Sequence, residues 1–161
     1  MKKEVAAILG IGIVAFSLGC VKEQVKDLVQ KPTLNVTDIT LESLTLKDAT
    51  FRTTLVITNP NPFGGQVESL TYKLYYLQDG QPKYLGEGGT TEPVTINADG
   101  ETTTQQYTTV ENLALLKTLK ELLEQGSVQV KAIGTVQLKV RPTGFVTFTI
   151  DFETVKEIVL T

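Results

Sequence analysis

Two stretches near the C-terminus alternate apolar and polar side chains along their length. They cover residues 128–140 and 146–152, and only Ile133 breaks the alternation. Because successive side chains of a strand point to opposite faces, this period of two predicts a pair of half-buried strands. The residues between them, 141–144 (Arg-Pro-Thr-Gly), are typical of a turn, so an antiparallel hairpin is expected.

The same alternation appears earlier in the chain, over residues 51–58 and 70–76. Asp79-Gly80 follows the second stretch and indicates a tight turn. Residues 34–41 change the parity of their apolar positions near Thr37-Asp38, which predicts a bulge or a switch between sheets. Residues 101–109 are polar on both faces and therefore fit an exposed edge strand.

One segment has the period of a helix instead of a strand. Its leucines form a broad apolar stripe over residues 113–123, for which core packing is the expected role. Glu111 and Asn112 suit the first turn, and Gly126 suits the C′ position. With strands recurring about every 10 residues, residues 33–161 are predicted to form one mainly β domain. Its expected architecture is an antiparallel β-sandwich in which the single α-helix plugs one end or links the two sheets.

The N-terminus has the pattern of an export signal. Lys2 and Lys3 precede an uncharged run, 5–18, that ends in Gly19-Cys20. A helix of about 14 residues is roughly 21 Å long, whereas a bilayer core of about 30 Å requires about 20 residues. The small residue before the only cysteine resembles the lipobox of prokaryotic lipoproteins, which implies that residues 1–20 are a leader and that Cys20 becomes lipidated.

Two alternatives stay open for this leader, because Ser17 stands where lipoboxes usually have Leu. One is an uncleaved N-terminal membrane anchor, and the other is a cleaved secretory signal with an incidental cysteine. All three interpretations place the residues after 20 outside the cytoplasm. The lipoprotein interpretation predicts an outward-facing protein at the cell membrane. Residues 21–32 then form either a short amphipathic helix on the bilayer or a spacer that folds weakly against the domain.

Composition excludes several classes of function. The chain of 161 residues has a net charge of −3, which disfavours a nucleic-acid partner. It has no histidine and one cysteine, so it can form neither a His/Cys zinc site, nor a Ser-His-Asp triad, nor an internal disulfide. We therefore expect no catalytic residues, no metal and no cofactor.

Two further sequence features have ordinary explanations. Asn35-Val36-Thr37 is a glycosylation sequon, but its position inside a predicted strand disfavours modification. The acidic residues Glu87, Glu92, Asp99 and Glu101 lack the spacing of a calcium loop and are interpreted as solvated charges.

A distinctive motif, Asn59-Pro60-Asn61-Pro62-Phe63, follows the predicted strand 51–58 directly. Neither proline can donate a backbone hydrogen bond, and each disfavours helical geometry in the asparagine before it, so strand pairing must stop here. The asparagine side chains can replace that pairing by bonding to nearby backbone groups. Phe63 can bury its ring and fix the turn, and Gly64-Gly65 then lets the chain reverse.

This motif, together with the strand SLTYKLYY, the leucine-rich helix and the final hairpin, resembles the water-stress and hypersensitive-response (WHy) domain of folded late-embryogenesis-abundant proteins. The resemblance covers about residues 33–155. It implies an immunoglobulin/fibronectin-III-like sandwich and a role in desiccation or stress tolerance. The family motif maps onto Asn59, Pro60, Asn61, Pro62 and Phe63, and no catalytic residue is carried over.

The leading hypothesis is accordingly a non-catalytic stress-protection protein, tethered to the membrane through Cys20 or an anchor, that limits aggregation of stressed client proteins. An adhesion or carbohydrate-binding sandwich, or a structural accessory subunit of an envelope complex, is the alternative, because sandwiches support many functions.

Overall fold

The structure is a computed structural model that describes residues 29–141 and 146–159. The predicted leader, Cys20, residues 21–28 of the spacer and turn residues 142–144 lie outside these ranges. The strands are β1 (Thr33–Leu44), β2 (Ala49–Asn59), β3 (Gly65–Gln78), β4 (Gln81–Thr90), β5 (Val94–Ile96), β6 (Gly100–Val110), β7 (Ser127–Val140) and β8 (Val146–Val159), and helix α1 (Leu113–Glu124) lies between β6 and β7.

The strands form two antiparallel sheets, as predicted. Sheet A contains β1, β2 and β6 in that order, and sheet B contains β4, β3, β7 and β8 in that order. The short strand β5 pairs with the first residues of β3, and every pairing is antiparallel. The described residues are therefore mainly β, with two layers and one helix, and the hairpin expected from residues 128–152 is confirmed as β7 and β8.

The apolar positions of the alternating stretches meet between the two layers. The fully buried side chains come from both sheets and include Phe51, Leu55, Ile57, Tyr72, Leu74, Val130, Val136, Leu138 and Ile150. Ile133, the residue that breaks the alternation, is exposed on the outer face of sheet B. Burial of these apolar faces provides the main stabilisation of the sandwich.

The structure also contains the bulge, the tight turn and the edge strand that the sequence indicates. The β1–β2 register shifts between Val36 and Asp38, and because β1 stays paired with β2 on both sides, this is a bulge within one sheet and not a switch between sheets. Asp79 and Gly80 both have positive φ, as a tight hairpin turn requires. Strand β6, the polar stretch, lies at an edge of sheet A.

One open side of the sandwich is closed by a tyrosine that reaches across β4. The buried Tyr72 hydroxyl on β3 lies 3.3 Å from Thr108 Oγ1 on β6, in the opposite sheet. Glycine in β4 makes room for this contact, because a Cβ at Gly88 would overlap the Tyr72 hydroxyl. The YLGEGGT sequence of β4 therefore lets the two sheets approach closely on this side.

Helix α1 links the two sheets, one of the two roles predicted for it. Asn112 is its N-cap and not part of its first turn: Asn112 Oδ1 accepts a hydrogen bond from the Leu115 N–H at 3.1 Å. Gly126, with φ of 146°, follows the C-cap as expected. The expectation that every leucine of the stripe packs in the core is wrong at Leu113. This side chain is 65% exposed, because it occupies the first position of the helix, where it does not face the core.

The topology gives the sandwich two distinct ends. The proximal end contains the start of β1, the turn between β2 and β3 and the start of β6, whereas the distal end contains α1 and the turns 45–48 and 79–80. Within the described residues, no helix has both the length and the apolar character needed to cross a membrane.

Candidate functional site

The Asn-Pro-Asn-Pro-Phe motif forms the turn that carries the chain from sheet A to sheet B at the proximal end. Asn59 is the last residue of β2 and pairs with Gly100 at the start of β6, so the ladder ends where the prolines begin. Gly65 starts β3 so close to β7 that a Cβ there would overlap the carbonyl oxygen of Lys139. A residue with a side chain would force the two strands apart, which explains the glycine after the motif.

Asn59 is fully buried and satisfies its side chain inside the turn. Its Nδ2 donates to the carbonyl oxygens of Phe63, at 3.0 Å, and Asn97, at 2.9 Å. Its Oδ1 accepts from the Asn61 N–H at 3.1 Å and from Asn61 Nδ2 at 2.8 Å. The Asn59 side chain thus fixes the turn, the loop before β6 and the second asparagine together.

Asn61 is 1% exposed and binds a segment that lies 31 residues earlier in the chain. Its Oδ1 accepts from the Gln30 N–H at 2.6 Å, and its Nδ2 donates to the Gln30 carbonyl oxygen at 2.7 Å. One carboxamide therefore pairs with both backbone groups of one residue, as a partner strand does in an antiparallel ladder. We call these two asparagine side chains and their backbone partners at Gln30, Phe63 and Asn97 the Asn59–Asn61 network.

Backbone hydrogen bonds and one ring complete the turn. The Asp99 N–H donates to the Asn61 carbonyl oxygen at 2.8 Å, and the Arg141 N–H donates to the Gly64 carbonyl oxygen at 3.1 Å. Phe63 is partly buried against the core. The local expectation for the motif is met in these respects, since both asparagines bond to backbone groups and the phenylalanine packs inward.

The segment bound by Asn61, residues 29–32, is here called the lead-in segment. Val29 is only 5% exposed and belongs to the hydrophobic core, and Pro32 is also buried, whereas Gln30 is exposed. Lys31 Nζ is buried and has no hydrogen-bond partner among the described residues. Burial disfavours the charged amine and lowers the pKa of Lys31 to about 8.

Sequence reasoning missed the lead-in segment as part of the site. The helical spacing of Val21, Val25, Leu28 and Val29 indicates a short amphipathic helix, and the marginal stability of so short a helix favours a spacer that folds weakly against the domain; neither predicts a contact with the motif. The available signal was Pro32, which excludes a continuing helix and favours extended geometry in the residue before it.

The network can bind and position chains, but it is not built for proton transfer. Its members are carboxamides and peptide groups, which donate and accept hydrogen bonds without ionising near neutral pH. In the described ranges, no cluster of three or more acidic, cysteine or histidine side chains is arranged to hold a metal ion. Of the acidic residues singled out in the sequence, Asp99 contacts this turn through its backbone N–H, whereas Glu87 lines a groove on the outer face of sheet B.

A second concave surface lies on the outer face of sheet B. It is an open groove of about 640 Å³ lined by outward side chains of four strands: Thr71, Lys73, Glu87, Ile133, Thr135, Asp151 and Glu153. Lys131 Nζ lies 3.1 Å from Glu153 Oε2, and the Thr135 hydroxyl donates to Asp151 Oδ1 at 2.8 Å. The groove has hydrogen-bonding groups around a central apolar side chain.

Comparisons with known proteins found a family model and solved structures that match the chain. The family model described as "Late embryogenesis abundant protein" (LEA_2) matches residues 54–155, from β2 into β8. The solution structure of AT1g01470 from Arabidopsis thaliana matches with a TM-score of 0.58 at 18% identity, over 82% of this chain and 83% of that chain.

A second structure, At2g46140.1, is proposed to be a late embryogenesis abundant (LEA) protein. It matches with a TM-score of 0.49 at 13% identity, over 98% of this chain and 87% of that chain. No curated protein sequence matches the chain at a significant level.

Proposed function

Because this chain belongs to the late embryogenesis abundant family LEA_2, we propose that it is a non-catalytic protein that protects other proteins under water stress. The family match over residues 54–155 is the observation that carries this proposal, since it runs from within β2 into β8 and so includes both sheets. The protection we propose is reduced aggregation of partly unfolded clients, by transient contact and without turnover.

The described surface supports contact with clients. Strand β6 lies at the edge of sheet A; its last residues, 108–110, pack against β4, whereas outward residues before them, which include Gln105 and Tyr107, are exposed. An edge strand has unpaired backbone groups to which an extended client segment can add. Its many threonines and glutamines keep that edge hydrated while no client is present.

We further propose that the protein is an exported lipoprotein held at the outer face of the cell membrane through a lipidated Cys20. Two acyl chains anchor a protein stably, whereas one anchors it only marginally. Mass spectrometry of the native N-terminus tests this directly: a mature chain that begins with diacylated Cys20 is expected. An unmodified chain that begins at Met1 would support the membrane-anchor alternative.

We also propose a more specific classification of the fold. We expect the domain to be a WHy domain with an immunoglobulin/fibronectin-III-like sandwich, and the motif at residues 59–63 and the two antiparallel sheets support this.

An aggregation assay tests the protective function. A soluble form that begins at Val21, and so retains the lead-in segment, is mixed with a client that aggregates on drying or heating. Light scattering is expected to fall at a modest molar ratio of protein to client. Suppression no greater than that given by an inert carrier protein at the same mass concentration would count against the proposal.

The outer groove of sheet B supports a second candidate function, carbohydrate binding or adhesion. Its hydroxyl, carboxylate and ammonium groups around Ile133 are of the types that bind sugars. A glycan array is the test, with Lys73→Ala as the matched variant. Binding of a defined glycan that the variant loses would favour this function over client protection. Co-purification with one stoichiometric partner would favour a structural subunit.

A further inference from the structure

Asn61 recognises a peptide backbone and no side chain. Both of its contacts to the lead-in segment are made with the N–H and C=O of Gln30, whose own side chain is exposed. Recognition of this kind is independent of the residue at that position, as in the addition of a strand to a sheet. The neighbouring side chain that enters the protein is the apolar Val29.

The recognising group is held in place by the domain itself. Asn59 Oδ1 accepts from both the N–H and the Nδ2 of Asn61, and Asn59 Nδ2 donates to two carbonyl oxygens of the domain. None of these bonds involves the lead-in segment. The Asn61 carboxamide therefore keeps its orientation when the segment is absent, and a preorganised donor and acceptor lower the cost of binding.

One side chain of the lead-in segment, Lys31, opposes its binding to the domain. Lys31 Nζ is buried with no hydrogen-bond partner among the described residues, and burial of an unpaired ammonium opposes seating. The segment therefore combines favourable groups, Val29 and the Gln30 backbone, with one unfavourable group. Such a segment binds less tightly than one without the buried ammonium.

We propose that the Asn59–Asn61 network is a docking site for an extended peptide, occupied in this chain by residues 29–32, that accepts an extended segment of another protein with an apolar residue at the Val29 position. The assignment of that protein as a stressed client rests on the proposed function. The docking site itself rests only on the contacts of Asn59 and Asn61.

A trans-binding experiment tests the site in the full-length protein. The double variant Val29→Asp/Gln30→Pro removes the buried apolar side chain and the Gln30 N–H, so its lead-in segment no longer occupies the site. A fluorescent peptide with the sequence of residues 25–33 is then titrated and followed by anisotropy. We expect saturable binding to the double variant and binding weakened by about tenfold or more when Asn61→Ala is added.

Two altered peptides separate backbone recognition from contact with the side chain. A peptide N-methylated at the Gln30 amide loses the donor to Asn61 Oδ1 and is expected to bind about tenfold or more weakly. A peptide with Ala in place of Gln30 retains both backbone groups and is expected to bind equally well. Equal binding of the N-methylated peptide, or no binding by a double variant with native circular dichroism, would overturn the proposal.

A measurement on the unaltered protein decides the question if the double variant does not fold. Amide hydrogen exchange at residues 29–31 is expected to accelerate when the same peptide is added at millimolar concentration, because the free peptide must compete with a tethered segment. Unchanged exchange would overturn the docking site. Aggregation suppression is measured separately, so peptide binding without client protection would reject only the proposed function.

Discussion

The side chain of Asn61 joins the lead-in segment to the turn, since it bonds to both Gln30 backbone groups and to Asn59 Oδ1. We predict that Asn61→Ala lowers the free energy of unfolding by about 1–3 kcal/mol, because it leaves both backbone groups of Gln30 without this partner and removes one of the two donors to Asn59 Oδ1. Urea denaturation measures this, and Asn35→Ala, at an exposed position of β1, is the matched control, expected to change stability by less than about 0.5 kcal/mol. Unchanged stability with lost client protection would assign the motif to partner contact.

Replacing two buried threonines, Thr53 and Thr108, by valine is expected to change stability in opposite directions. Thr53 is fully buried, and its Oγ1 has no partner in the described part of the chain, whereas Thr108 Oγ1 contacts the Tyr72 hydroxyl. We predict that Thr53→Val raises the free energy of unfolding by about 1 kcal/mol, because it removes an unsatisfied hydroxyl with little change of shape. Thr108→Val is expected to lower it by a similar amount. Thermal melts of both variants check the prediction, and equal signs would contradict it.

The local chemistry of the motif could be predicted, but its main partner could not. That prolines end the ladder and that asparagines then bond to backbone groups follows from residues 59–63 alone. The contact between Asn61 and Gln30 joins positions 31 apart in sequence. No periodicity reveals such a contact, because it depends on how β1 and β2 are brought together by the complete sheet.

The strands follow from alternation, but their arrangement in space does not. The period of two predicted β2, β3, β7 and β8, and the parity change in β1 predicted a bulge or a switch between sheets, of which the structure has the bulge. The close approach of β4 and β6 was not predicted, because it depends on an inward tyrosine from a third strand. Likewise, the leucine stripe predicted helix α1 but not the exposure of Leu113 at its start.

Strand β4 supplies a prediction about the closure of the sandwich. A Cβ at Gly88 would overlap the Tyr72 hydroxyl, so Gly88→Ala must displace the tyrosine or separate β4 from β6. We expect a loss of about 1–3 kcal/mol in the free energy of unfolding, measured by urea denaturation.

The matched control for this change is Gly100→Ala in β6, where the added methyl group meets only an ordinary contact at 3.5 Å. A small effect is expected there. Equal losses at both glycines would show that backbone freedom, and not space for Tyr72, explains the first result.

At the scale of the whole molecule, Lys31 makes the free energy of unfolding depend on pH in the alkaline range. Its pKa is about 8 in the folded state and near 10.5 when unfolded. Below pH 8 both states are protonated and the penalty for burying the ammonium is fully present. Between pH 8 and 10.5 the unfolded state binds more protons, so the free energy of unfolding rises with pH.

The substitution Lys31→Met should remove this contribution. We predict that the variant is more stable than the wild type at pH 7 and that the difference shrinks as the pH rises from 8 to 10.5. Urea denaturation at a series of pH values measures the difference. The exposed Lys47→Met, measured in the same way, is the matched control. A difference for Lys31→Met that is independent of pH would contradict the assignment.

The two ends of the sandwich differ in character. The proximal end has the asparagine network and the lead-in segment, whereas Leu46, Leu113 and Val159, all more than half exposed, lie at the distal end. If the chain is tethered through residues before 29, the distal end is the part of the protein that faces away from the bilayer.

The double hydrogen bond between Asn61 and Gln30 has a mechanical consequence. A force applied to the chain before residue 29 acts first on the two Asn61–Gln30 hydrogen bonds and on the packing of Val29. It acts on the β1–β2 ladder, which begins at Thr33, only after these contacts break. The lead-in segment would yield first and lengthen the tether by a few residues while both sheets stay intact. If the chain is tethered to a membrane, this release would limit the tension on both sheets, and the segment would bind again when the load is removed.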